Sequence, residues 1–237
     1  MRQRKIKEID KKISAYEDCI VRIPENQKGR WREVFHSDVA LQEETSSQVV
    51  INIQDSELFA EIGCGKGNFI TKQACLNPHK LYIGFEGNET VIFRAMQKTK
   101  LLEKENPSAV SRIKFCPSYI YNPIDVFAEG ELTGIFLNFS DPWPKPRHEK
   151  RRLTQPFYIK GYYHSLQRAG AIEFKTDNDN FFRYSVENLK RETGFEIEAI
   201  VEDLHKSEYM ERNIETEYEH KFNNLKHKIK FVKAIKK

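Results

Sequence analysis

Glu61-Ile62-Gly63-Cys64-Gly65-Lys66-Gly67-Asn68-Phe69 joins an apolar run at 58–62 to a helical pattern at 68–76. Alternate glycines let the backbone turn sharply and let a ligand approach it closely. A helix N-terminus directly behind them aims backbone N–H groups at the same place. Two phosphate-binding fingerprints are excluded. A P-loop would need glycine where Ala60 stands, and Ser or Thr where Gly67 follows Lys66. A dinucleotide fingerprint would need its third glycine at Asn68. The bland alternative is a glycine turn that binds nothing. Glu86 argues against it: a carboxylate at the end of the second strand can accept both ribose hydroxyls of an adenosine.

Outward from this loop, strands and helices alternate. The pattern predicts strands at 58–62, 81–85, 113–116, 134–139 and 171–175, then late strands at 195–201 and 228–235. Helices are predicted at 68–76, from Asn88 to about Glu105, and at 179–192. Thr154 is expected to cap a further helix with Pro156 in its first turn, ending near Arg168 before Gly170. A partly helical, acidic stretch separates the two late strands. This order describes an open α/β sheet with a mixed edge, whose ligands sit at the carboxyl ends of its strands. Residues 1–41 are expected to form a basic N-terminal arm with a short helix at 6–16. Residues 42–237 form the α/β domain, with a variable loop or edge ribbon at 42–56 around Val49-Val50-Ile51-Asn52-Ile53.

The chain has 237 residues, of which 39% are hydrophobic and 31% charged, which suits one soluble domain with a packed core. A net charge of +4 is too small to demonstrate a nucleic-acid partner. Its distribution says more: positive charge collects at 2–12, at 147–152 and from Lys226 onward. The cysteines Cys19, Cys64, Cys75 and Cys116 are widely spaced, without C-x-x-C or histidine partners at metal spacing. They read as free thiols in a reducing compartment. No signal-peptide core follows Met1 and no apolar run approaches a membrane span, so a cytoplasmic protein with no membrane and no metal is expected.

The fourth strand leads into Asn138-Phe139-Ser140-Asp141-Pro142-Trp143-Pro144-Lys145-Pro146-Arg147-His148-Glu149-Lys150-Arg151-Arg152. Prolines stiffen the loop, and an indole offers a base-stacking surface. The competing readings are a buried core tryptophan and a solvated charged face. Ser140-Asp141-Pro142-Trp143-Pro144 is similar to the Asp/Asn-Pro-Pro-aromatic motif of aminomethyltransferases that modify bases, and the glycine loop resembles the S-adenosylmethionine loop of Rossmann-like methyltransferases.

Taken together, Glu-x-Gly-x-Gly-Lys-Gly, Leu-Asn-Phe-Ser-Asp-Pro-Trp-Pro-Lys, Arg-His-x-Lys-Arg-Arg-Leu, Phe-Lys-Thr-Asp-Asn and Thr-x-Tyr-Glu closely resemble the bacterial tRNA (guanine-N7)-methyltransferases. The resemblance runs from Lys28 almost to the C-terminus, and Met1-Arg2-x-Arg4 is similar to the family's start. It implies a Rossmann-like class I methyltransferase, an α/β fold with a mostly parallel seven-stranded sheet, helices on both faces and a mixed edge. It implies methylation of a guanine N7 in the variable loop of tRNA, by a monomer or homodimer. Glu61, Gly63, Gly65, Gly67, Glu86, Tyr119 and Asp141 would hold S-adenosylmethionine, with Asp141 the catalytic acid. Lys145, Asp177, Thr216, Glu217, Tyr218 and Glu219 would hold the substrate, and Arg147, His148, Lys150, Arg151 and Arg152 would meet RNA. Without the resemblance, Asp177 and Glu219 read as an ordinary loop acid and an exposed helix acid. Tyr119 departs from the family, which carries an Asp there. Rival readings are an adenine-N6 methyltransferase, a tRNA-binding module with weakened catalysis and, weakest, a nicotinamide oxidoreductase.

Overall fold

In a computed structural model, residues 6–35, 52–223 and 227–237 are described; the family-like start at 1–4 and the β-like run at 49–51 lie outside them. The chain divides into two units, Met1–Ile120 and Tyr121–Lys237.

In the first unit, β1 (Glu57–Ile62), β2 (Lys80–Phe85) and β3 (Ile113–Cys116) pair in parallel in the order β3-β2-β1. Their apolar runs are nearly continuous because both faces of the strands are covered. The N-terminal segment holds α1 (Ile9–Ile13) and then 3-10 turns at Ser14–Cys19, Pro24–Gln27 and Trp31–Phe35. The expected helix at 6–16 is thus shorter: Tyr16, at φ −127°, leaves the helical region. Trp31 and Phe35 are fully buried, with Trp31 edge-on to Phe85 at 6.0 Å. Ile20 bridges to Phe115, and Val21 N–H donates to the Phe115 carbonyl at 2.8 Å.

The helices α2 (Asn68–Leu76), α3 (Glu89–Leu102) and α4 (Pro107–Ser111) follow in chain order. Asn88 caps α3 by accepting from the N–H groups of Thr90 and Val91, as its position predicts. Asn106-Pro107 starts α4, a short helix that the sequence pattern passes over, while α3 ends at Leu102, before the expected Glu105. Arg112, 2% exposed, closes the α2 end: its guanidinium donates to the carbonyls of Ala74 (2.8 Å), Asn77 (2.7 Å) and Ser108 (2.9 Å). Arg112→Ala is expected to cost about 3 kcal/mol, because the buried Ala74 carbonyl and the part-buried bonds to Asn77 and Ser108 lose their donor at once. Denaturant unfolding measures this, and a loss below about 1 kcal/mol would show that water satisfies them.

The second unit holds α5 (Pro123–Val126), β4 (Leu132–Asn138), α6 (Pro156–Ser165), β5 (Leu166–Thr176), α7 (Asp179–Arg191), β6 (Phe195–Val201), α8 (Glu217–Asn223) and β7 (Lys230–Lys236). Its strands run β4-β5-β7-β6, parallel between β4 and β5 and antiparallel on either side of β7. The whole is a seven-stranded sheet of order β3-β2-β1-β4-β5-β7-β6, mostly parallel with an antiparallel edge.

The boundaries around α6 and β5 need correction. Gln155, and not Thr154, caps α6, its side chain accepting from Phe157 N–H at 3.3 Å. Thr154 is buried instead, its hydroxyl 2.7 Å from that of Ser185. The helix stops at Ser165 and β5 begins at once, several residues before the expected 171. A register shift between Leu132 and Gly134, with Ala169 at φ 61°, accommodates these additional strand residues. Among the described residues no helix is long and apolar enough to cross a membrane.

Candidate functional site

Each candidate acid follows the carboxyl end of a parallel strand or lies just inside it: Glu61 and Glu86 in the first unit, Asp141 and Asp177 in the second. This is where open α/β sheets bind ligands.

In the first unit, Gly63, Gly65 and Gly67 all take left-handed φ, at 84°, 56° and 75°. The N–H groups of Gly63 and Cys64 both donate to the Phe85 carbonyl, at 2.8 and 2.9 Å, and so tie the loop to the end of β2. Among the described residues, a Cβ at Gly63 or Gly65 would meet nothing within 4 Å, leaving an open cradle above that backbone. At Gly67, the N-cap of α2, a Cβ would lie 2.9 Å from that of Ala95. Gly63→Ala is therefore expected to cost about 1–2 kcal/mol through φ alone, and Gly67→Ala at least twice that. Thermal unfolding of the two variants compares them, and equal losses would contradict the crowding at Gly67.

Glu61 is buried at 3% exposure. Glu86 is half-buried, and its Oε1 accepts from Asn88 N–H at 2.8 Å. Burial and the charges of Glu61 and Glu86 push the Cys64 thiol well up, so it stays protonated and is no nucleophile. Tyr119 is 60% exposed, and its ring packs directly against Gly87: a Cβ there would come within 2.2 Å of it. Gly87 belongs to this region as a residue the sequence reading missed. Its only signal is its place directly after Glu86.

In the second unit, Phe139 N–H donates to the Lys175 carbonyl at 2.9 Å, prolonging the β4–β5 pairing. The chain then turns abruptly, with Phe139 at φ 50° and Trp143 at φ 40°. Both are bulky residues in a region that L side chains avoid, and such strain persists only where surrounding contacts enforce it. Asp141 is exposed and Asp177 half-buried. Tyr218 packs on Phe139 with ring centroids 5.5 Å apart. Its phenol is raised by burial first, and then by the carboxylates of Asp177 and Asp141. The structure therefore gathers Asp141, Asp177 and Tyr218 into one electrostatic group.

Behind this group lies a buried clamp. Glu219 is fully buried, unlike the exposed helix acid that its sequence position alone suggests. Its Oε1 accepts from Asn213 Nδ2 at 2.6 Å and lies 2.9 Å from His205 Nε2, while its Oε2 is 3.3 Å from Lys175 Nζ. Thr216 Oγ1 accepts from Glu219 N–H at 3.0 Å, and Glu219 Oε2 accepts from Thr216 N–H at 3.4 Å, which forms a capping box on α8. Lys175 also donates to Asn213 Oδ1 (2.8 Å) and to the Ile214 carbonyl (3.1 Å), so the end of β5 is tied to the start of α8. Glu217, between them, is exposed. Lys175, Asn213 and His205 are further members that sequence reading did not supply.

The basic run divides. Lys145, Arg147 and Lys150 are exposed. His148 meets the Trp143 ring edge-on at 5.6 Å, and the Arg151 guanidinium lies over that ring at 4.8 Å. Trp143 is half-buried, neither a core residue nor a bare platform. Arg152 turns inward onto the loop backbone. Among the described residues, no group of three or more His, Cys, Asp or Glu side chains could hold a metal ion.

A family model described as "Putative methyltransferase" matches residues 55–232. A protein of Lachnoclostridium phytofermentans named tRNA (guanine-N(7)-)-methyltransferase is 39% identical over 211 residues, 89% of this chain and 87% of its own. One of the same name from Geobacillus kaustophilus is 39% identical over 225 residues, 95% of this chain and 92% of its own. Among solved structures, an antibiotic-related methyltransferase superposes with a TM-score of 0.53 at 15% identity, over 76% of this chain and 87% of that one. That likeness concerns the fold.

Proposed function

This chain belongs to the tRNA (guanine-N7)-methyltransferase family, and from that membership we propose that it methylates N7 of a guanine in the variable loop of tRNA, with S-adenosylmethionine as donor. The observation that carries the substrate side is the grouping of Asp141, Asp177 and Tyr218 at the ends of β4 and β5. The first unit suits the donor. Its open cradle at Gly63 and Gly65 admits close backbone approach, the α2 N-terminus lies behind it, and Glu86 supplies acceptors for ribose hydroxyls. Glu61 and Tyr119 complete that set, Tyr119 by lying against the adenosine in place of the family's Asp. S-adenosylmethionine, when bound, supplies a methyl group made electrophilic by its sulfonium.

Guanine N7 carries an in-plane lone pair and no proton, so the chain needs no base to create the nucleophile. As the methyl arrives, positive charge develops on the purine. Fixed carboxylates near the ring stabilise that charge without reorganising. Asp141 acts in this way. Asp177 accepts from the guanine N1–H and exocyclic amine, and Tyr218 offers a half-exposed ring beside both acids. Thr216 and Glu219 hold Tyr218 in place through the capping box. Lys145, Arg147 and Lys150 contribute phosphate affinity that weakens with salt.

Digesting enzyme-treated, initially unmodified tRNA to nucleosides tests the reaction. The expected product is 7-methylguanosine. N6-methyladenosine would support the adenine methyltransferase instead, and tRNA binding without cofactor binding would support the non-catalytic module.

A further inference from the structure

We propose that Arg152 is a positioning residue, the staple that holds the strained Asp141–Trp143 turn in its working shape, rather than a phosphate contact. The inference rests on the methyltransferase reading for its effect on turnover, and on geometry alone for the staple. Arg152 is half-buried at the end of the 3-10 turn Pro146–Arg151. Its Nε donates to the carbonyls of Pro142 (3.0 Å) and Trp143 (3.3 Å), and its Nη2 to the Trp143 carbonyl at 3.1 Å. The guanidinium lies over the Tyr184 ring of α7 at 4.4 Å, which fixes its plane.

Three facts make this a support the loop needs. Phe139 and Trp143 both sit at positive φ, so the turn is disfavoured by its own residues. Pro142 and Pro144 have no N–H to offer a neighbouring strand, so backbone pairing can brace it less. A planar fork of N–H donors matches two consecutive carbonyls, whereas an ammonium does not hold that geometry. Arg151 and His148 clamp the Trp143 ring from the same segment. The charge run thus works in two directions. Its inward members brace the turn that presents Asp141, and exposed Arg147 and Lys150 remain for RNA.

Arg152→Lys is the discriminating variant because it keeps the charge and loses the fork. It and Arg152→Ala are expected to lower kcat by about 10–100-fold, the scale of a misplaced reacting group. The tRNA dissociation constant at fixed salt, and the slope of log K against log salt, should stay those of the wild type. Acrylamide quenching gives a readout independent of activity. Trp31 is fully buried, so the quenchable tryptophan is Trp143, and both variants should make it more accessible. Tyr184→Leu should produce the same gain in quenching. Full activity of Arg152→Lys with unchanged quenching would overturn the staple. So would a salt slope shallower by about 0.7–0.9 for Arg152→Ala with kcat intact, the mark of one lost phosphate contact. If the wild-type protein proved unable to methylate guanine, the functional reading would fail while the quenching result still decided the staple.

Discussion

Asp141→Ala is expected to lower kcat by about 10²–10³-fold while leaving the melting temperature within a degree or two of the wild type. The side chain is exposed, so little packing is lost. What disappears is a fixed negative charge close to where the purine becomes cationic, and removing one preorganised group of this kind has an effect of that order. Asp141→Asn separates charge from shape. It keeps an acceptor oxygen and the local volume, and should fall nearly as far as Ala. Binding of S-adenosylmethionine should weaken less than turnover, because the glycine cradle and Glu86 belong to the first unit. Single-turnover methylation of unmodified tRNA measures the chemical step directly. Wild-type turnover by Asp141→Asn would move the charge-stabilising role to Asp177.

Glu219→Ala should act on stability first. It would leave Lys175, 4% exposed, without its buried carboxylate, and remove one acceptor each from His205 and Asn213. Removing one partner of a buried ion pair costs about 3–5 kcal/mol. For a chain of this length that corresponds to a fall in melting temperature of roughly 10 °C. Glu219→Gln retains acceptors and should lose about half as much. The variant also opens the capping box, so Tyr218 should lose its place over Phe139 and activity should fall with stability. An unchanged melting temperature with activity abolished would instead make Glu219 a direct contact to the guanine.

Most of the strands and several helix starts were legible because punctuating residues bound them. The limits of α2, β3 and β6 follow from glycines, from Asn77-Pro78 and from runs of apolar residues. Asn88 was readable as a cap because a short amide side chain ahead of a helix has one obvious task. The β5 start was not readable, since the bulge opposite Leu132–Gly134 depends on a partner strand far away in sequence. Two arginines show the limit for function. Arg112 and Arg152 act on backbone carbonyls, and a carbonyl waiting for a donor has no signature in sequence. Arg152 in particular sits among five other basic residues between 145 and 152, where spacing alone cannot separate a staple from a phosphate ligand. The Thr216-x-x-Glu219 spacing did carry its structural meaning as a capping box. Its functional resemblance masked it, and only the complete burial of Glu219 makes the clamp evident.

The most direct test of the central claim is to map the methyl group on the RNA. Unmodified tRNA is incubated with the wild-type protein and S-adenosylmethionine, then cleaved chemically at 7-methylguanine. The account predicts a single cut at a guanine in the variable loop, absent when the cofactor is withheld and reduced at least 100-fold for Asp141→Ala. Intact RNA after incubation with folded, cofactor-bound protein would contradict it, as would methylation confined to adenine.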